Sequence, residues 1–177
     1  MNVFTTNPDP ILCAEILADQ HVRSQLGETA RLLTTALSRH DITAPLLGKP
    51  YNPNGRFAKW AAKDWNHFMW LAYHGFALSE EHERRFNTVH KSHAEIVAAA
   101  NIGFLMLGGY PRTPEEWPRC EAAASYDSED VFGAYQNVLR NKYEAWQERG
   151  GKRTPRWTNA YPPSWLMATG EHIQRGS

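Results

Sequence analysis

Residues 14–37 read AEILADQHVRSQLGETARLLTTAL. Ala14, Ile16, Leu17, Val22, Leu26, Leu33 and Leu37 recur at helical spacing. A helix is therefore expected from Pro10, just after Asp9, to about His40. Gly27 is its expected weak point, a bend or a close approach. At about 100° per residue, Glu28 falls about 20° and Arg31 about 80° from His21, on one side, while Val22, Leu26, Leu33 and Leu37 gather between about 100° and 160°. Leu32 intrudes on the polar side, so that side is not purely solvated. His21, Glu28 and Arg31 would then line one wall of a pocket beside the core. The plainer reading is a Glu–Arg pair on a surface helix.

Working outward, residues 43–56, TAPLLGKPYNPNGR, are Pro- and Gly-rich and read as a loop. Phe57 to Phe76 carries Trp, Phe, Ala and Leu at helical spacing. Ser79 with Glu80 to Glu83 reads as a helix start, running to about Ala100. Residues 108–118, GGYPRTPEEWP, are a second loop. Asp127 or Ser128 is expected to cap a last helix from about Glu129 to Glu148, closed by Gly150-Gly151. No alternating strand pattern occurs. The fold class expected is all-α: one compact helical domain over residues 1–177, with long Pro-rich loops and a basic, aromatic tail at 149–177.

Composition narrows the function classes. The chain has 177 residues, 42% of them apolar, with seven each of Trp, Tyr and Phe, enough to bury a core. The formal net charge is zero, which excludes a strongly basic nucleic-acid coat but not a local basic face. Charge is indeed uneven. Glu115 to Asp130 holds six acids and one Arg; Arg140 to Arg156 holds six bases and two acids, interleaved with Tyr143 and Trp146. Bases among aromatics suit a phosphate backbone and stacked bases, or equally a helix end and a solvated tail. Cys13 and Cys120 form no CxxC or zinc spacing. The first 25 residues lack the apolar run of a signal peptide, and Ile102–Leu107 is too short for a membrane span. A cytoplasmic protein without a membrane partner is expected.

Other chemistry is weakly signalled. His90 and His93, with His82 and Glu83 two turns earlier, do not complete a metal site by spacing. His90-Lys91-Ser92 reads as a phosphate-binding group or as the polar face of a helix. Asn7 and Asp9 read as helix caps or as contacts to an anion at the helix start. No nucleophile elbow, Walker loop or dinucleotide fingerprint occurs.

Leu17-Ala18-Asp19-Gln20-His21, followed at matching spacing by Glu28 and Arg31, resembles the first helix of the pyrimidine-dimer DNA glycosylases of the endonuclease V type. The resemblance implies a catalytic carboxylate at Glu28 and a phosphate contact at Arg31. Arg153, Thr154, Pro155 and Trp157 are similar to the tail with which that family grips damaged DNA. Met1 to Pro10, the Trp60–Trp70 region and His90-Lys91-Ser92 resemble a group of phage proteins, the alpha-glutamyl/putrescinyl thymine pyrophosphorylases or amino-acid:DNA transferases. That resemblance implies thymidine hypermodification in phage DNA. An amine, glycine being the one suggested, displaces pyrophosphate from a pyrophosphorylated 5-hydroxymethyluracil base.

One departure separates the two families. The glycosylases use their own N-terminal amine, freed when Met is removed before a small residue; here residue 2 is Asn. A transferase needs no protein nucleophile. Glu28 and His21 are accordingly the expected catalytic residues. Asn7, Asp19, Gln20, Arg31, Trp60, His90, Lys91 and Ser92 are expected to bind substrate or phosphate, and Lys152, Arg153, Arg156 and Trp157 to bind DNA. Trp65 and Trp70 are expected in the core. No cofactor is expected, and a divalent metal is admitted only as an escort of the pyrophosphate. Partners would be DNA carrying a modified thymidine and a free amino acid or other amine, in the host cytoplasm if phage-encoded. The alternatives are a glycosylase with lyase activity and a non-catalytic DNA-binding module.

Overall fold

The computed structural model describes residues 3–108, 117–118 and 130–167. Its helices are α1 (Pro10–Glu15), α2 (Asp19–Ser38), α3 (Arg56–Ala61), α4 (Trp65–Phe86), α5 (His93–Leu107), α6 (Val131–Arg149) and the short α7 (Ser164–Met167). No strand occurs among the described residues, and none of their helices is long and apolar enough to cross a membrane. The all-α expectation holds.

α2 lies at the centre. Val22, Leu26, Leu33 and Leu37 are fully buried on one flank, as the wheel requires, and Leu32 is buried as well. α4 packs against α1, α2, α3 and α5. Small residues let these helices approach. A methyl group on Gly75 would stand 2.9 Å from Ile96 Cγ2 and 3.0 Å from Thr29 Cγ2, so α2, α4 and α5 meet there. α6 contributes a stripe four residues apart, Val131, Tyr135, Leu139 and Tyr143, all buried. The N-terminal segment is pinned to α4. Trp70 Nε1 donates to Pro8 O at 2.9 Å, and His74 Nδ1 stands 3.0 Å from Pro10 O.

Three helix boundaries differ from expectation, the plainest being that the 57–76 stretch is split at residues 62–64, where Asp64 accepts from His67 N and caps α4. The first long helix does not bend at Gly27, which lies inside α2 with no neighbour closer than 3.9 Å to a methyl group placed there. It breaks at residues 16–18 instead. Backbone groups freed at a break need partners. Here they come from far along the chain: Tyr143 Oη accepts from Ala18 N at 3.0 Å, and Arg85 Nη1 and Nη2 donate to Leu17 O and Glu15 O. Nor does a helix start at Ser79, whose hydroxyl folds back onto Gly75 O inside α4. The break comes at Asn87, in the left-handed region at φ 52°, where Asn readily ends a helix. His90-Lys91-Ser92 thus sits in a turn, not on a helix face.

The last helix begins after Asp130, whose carboxylate accepts from Gly133 N. Asp127 and Ser128 lie outside the described residues, as does most of the second expected loop. Gly150 and Gly151, both at φ 63°, close α6 as expected.

Candidate functional site

The polar flank of α2 meets α6 around His21. The His21 ring is buried among Phe4, Tyr143 and Trp146, with centroids 4.9, 5.3 and 4.8 Å away. Its Nδ1 stands 2.9 Å from Tyr143 Oη. That hydroxyl already accepts from Ala18 N, so its own proton is the one left to share with His21. Nδ1 is then the acceptor and Nε2 carries the hydrogen. Nε2 is buried and has no hydrogen-bond partner. Burial first, and then the Lys142 charge, push the His21 pKa down to about 3, so the ring is neutral at physiological pH. It is a hydrogen-bond donor through Nε2, not a carrier of positive charge.

Gln25 and Glu28 follow on the same flank. Gln25 Nε2 donates to Glu28 Oε2 at 3.2 Å, which leaves the buried Gln25 Oε1 without a partner. Glu28 is half-buried. Lys142 of α6, also half-buried, lies within electrostatic reach of Glu28, its ammonium 5.5 Å from the Phe4 ring centre and 5.4 Å from that of Trp146. These are two of the rings that enclose His21. Desolvation lowers the Lys142 pKa, and the Glu28 charge partly restores it. A carboxylate, an amine, a neutral imidazole and an amide are therefore neighbours where α2 meets α6. That set can orient an amine, accept its proton and hold an anion.

The other expected site residues divide. Arg31 is exposed on the same side of α2. The 90–92 turn lies against that helix at Gly27, one turn before Arg31, with Lys91 exposed. His90 Nδ1 accepts from Ser92 N at 3.1 Å, which fixes the turn. Burial first, then the charges of His82 and Lys91, lower the His90 pKa. Among the described residues no three His, Cys, Asp or Glu are grouped so as to hold a metal ion.

Asp19 and Gln20 are not presented to a substrate. Asp19 is buried, pairs with Arg85 at 3.2 Å, and accepts from Thr158 N and from Thr158 Oγ1 at 2.7 Å. Gln20 Nε2 donates to Thr154 O at 2.6 Å. Both are anchors of the tail. Asn7 Oδ1 accepts from Asp9 N, and Asp9 caps α1 by accepting from Ile11 N, so this pair shapes the helix start. Trp60 is buried edge-on against Trp70 at 5.8 Å, not held out to stack on a base. Trp70 is in the core as expected, and Trp65 is half-buried.

The tail is a strap rather than a loose arm. Trp157 is buried, donates from Nε1 to Ile16 O at 3.0 Å and packs edge-on against Tyr143. Asp19 N donates to Arg156 O, and Arg84 donates to Asn159 O. Trp157 thus belongs to the core, because the apolar break after α1 needs a cover. Lys152, Arg153 and Arg156 remain on the surface, with charges turned outward.

Sequence reasoning missed Lys142, Gln25 and Phe4. Gln25 had a signal, since it falls between His21 and the core flank at about 40° on the wheel. Lys142 lay hidden within a run of bases, and nothing local links it to Glu28. Comparison with protein-family models, with curated proteins and with solved structures finds no match for this chain.

Proposed function

We propose that the protein is a DNA-modifying transferase, in which an amine displaces pyrophosphate from a pyrophosphorylated 5-hydroxymethyluracil base. The observation that carries this reading is the grouping of Glu28 with Lys142, His21 and Gln25. Its α2 members, His21, Gln25 and Glu28, lie on the segment that resembles DNA-base enzymes. Glu28 accepts the proton of the incoming ammonium. The freed nitrogen lone pair attacks the methylene carbon, the carbon–oxygen bond breaks, and its electrons leave with the pyrophosphate. Arg31 and Lys91 are the exposed cations on that side of α2 suited to receive the growing charge. Lys152, Arg153 and Arg156 supply contacts to the phosphate backbone. A base in duplex DNA must be flipped out, at a cost of roughly a few kcal/mol.

The test is nucleoside mass spectrometry. DNA containing the pyrophosphorylated base is incubated with the protein and a pool of amino acids, wild type against Glu28→Gln. A nucleoside carrying one amino acid, with pyrophosphate released, and both lost in the variant, is the expected result. Release of free base instead would mark a glycosylase. Binding with no change in the nucleosides would mark a DNA-binding module.

A further inference from the structure

From Arg39 to Lys63 the chain holds five Lys or Arg and one acid, Asp41, a net of +4 in a protein whose formal charge is zero. Arg39, Lys49, Arg56, Lys59 and Lys63 are all exposed, and none is ion-paired among the described residues. The fold does not account for all of them. Arg56 opens α3, where a cation is opposed by the helix dipole, while α3 packs through the buried Ala58, Trp60 and Ala61. The 41–55 loop and the end of α3 have backbone held in place at four points. Glu95 Oε1 accepts from Gly48 N at 3.0 Å, and Thr35 Oγ1 accepts from Tyr51 N at 3.0 Å. Arg39 Nη1 donates to Pro53 O at 2.7 Å, and His40 Nε2 stands 2.9 Å from Ala62 O. Lys49 and the exposed Tyr51 are thus presented from fastened backbone, which spares a ligand the entropy of ordering it.

The place of this face relative to the tail decides its ligand. Around α2, Gln20, Glu28, Arg31 and Thr35 fall within about 80° of one another. Gln20 holds the tail at Thr154 O, and Thr35 holds the loop at Tyr51 N. The tail cations, Glu28 and the loop cations are therefore strung in that order along one side of α2. Gln20 and Arg39 lie roughly 28 Å apart along the helix axis, at about 1.5 Å per residue. That is most of one turn of B-form duplex, about 34–36 Å. A duplex is stiff over such a span and returns the same face each turn, whereas a single strand must be stretched along it.

We infer that the Arg39–Lys63 face is a second contact for a DNA duplex: Lys49, Arg56, Lys59 and Lys63 hold backbone phosphates about one helical turn from those held by the tail, with Glu28 facing the stretch between. The inference rests on the DNA-modifying reading for the identity of the polyanion, and it adds a footprint and a preference for double strands that the reaction itself does not require.

The experiment is fluorescence anisotropy across a range of salt, with an unmodified duplex of about 20 base pairs and a hairpin stem of about 6 base pairs. The proteins are wild type and the triple variant Lys49→Gln, Lys59→Gln, Lys63→Gln, whose melting temperature should match wild type because all three side chains are exposed. On the long duplex the variant should bind at least about tenfold more weakly at about 0.1 M salt, and its log–log salt slope should flatten by about 0.9 per lost phosphate contact. On the hairpin, which the tail alone can hold, the loss should be no more than about twofold. With p-benzoylphenylalanine in place of Tyr51, light should crosslink the protein to the long duplex, which a distant charge effect would not produce. Wild-type affinity and slope in the variant, equal losses on duplex and hairpin, tighter binding of a single strand of equal length, or no crosslink would each overturn the assignment. The nucleoside experiment separates the two readings. Duplex binding that the variant weakens, with no adduct formed by wild type, leaves this face standing without the transferase; adduct formation with duplex binding unchanged in the variant does the reverse.

Discussion

The Tyr143 hydroxyl stands 2.9 Å from His21 Nδ1 while accepting from Ala18 N–H at 3.0 Å. One phenol therefore does two things: it closes the backbone break between α1 and α2, and it fixes which nitrogen of His21 carries the hydrogen. Tyr143→Phe strands two buried polar groups, a loss of about 1–3 kcal/mol for each. Denaturant unfolding should show a lower midpoint, and nitrogen NMR should show His21 leaving its single tautomer. A variant with unchanged stability and an unchanged His21 spectrum would refute this arrangement.

Stability should fall as the solution is acidified. His21 has its pKa lowered to about 3 and His74 to about 4, in both cases chiefly by burial, from an ordinary 6.5. The folded state therefore binds fewer protons than the unfolded state below pH 6.5. Stability is fully present above that value and is lost down to about pH 3–4. The loss is on the order of a few kcal/mol per histidine across that window. Urea midpoints for wild type and His21→Asn, measured between pH 7 and pH 4.5, should fall less steeply in the variant; parallel curves would count against a neutral buried His21.

Asp19 should behave as an anchor. Asp19→Ala leaves Arg85 with one buried carboxylate fewer and frees Thr158, at a cost of roughly 3–5 kcal/mol. Hydrogen exchange at the Thr158 amide should accelerate with it. If instead the variant is stable and only substrate affinity suffers, Asp19 is a binding residue.

The tail should split by residue. Trp157→Ala removes a buried ring and should cost about 3–5 kcal/mol of stability. Alanine at Lys152, Arg153 and Arg156 should leave the melting temperature nearly unchanged. DNA affinity should drop about equally for all sequences, and the salt dependence should flatten by about one in slope per lost phosphate contact. DNA binding that is indifferent to the triple variant would remove the tail from the interface.

Much of this was legible in the sequence because it is local. The core flank of α2 follows from helical spacing alone, and Gly150-Gly151 closes α6 because two consecutive residues adopt positive φ. What failed was mostly non-local. The apolar pattern runs unbroken through Ile16 and Leu17, and only Tyr143 and Arg85 reveal the break there. Ser79 carries a cap signature, yet its hydroxyl is spent on Gly75 O within α4. Trp157 reads as a surface aromatic beside bases, but the gap it fills lies 141 positions away. Glu28 stood out through its own helix; Lys142, equally central, did not, because its importance lies in what faces it.

The strap joining residues 154–159 to the start of α2 has a consequence for biosynthesis. A nascent chain that has emerged only as far as α5 possesses the helices that pack on one another, but neither Tyr143 nor Trp157. His21 then has no partner at Nδ1, and the seam after α1 is uncovered. Loops that close over so many residues form late, since their entropy must be lost before any contact rewards it. The α1–α5 scaffold can thus assemble before His21 is enclosed, which happens only once residues 143–159 have emerged and folded back across the start of α2.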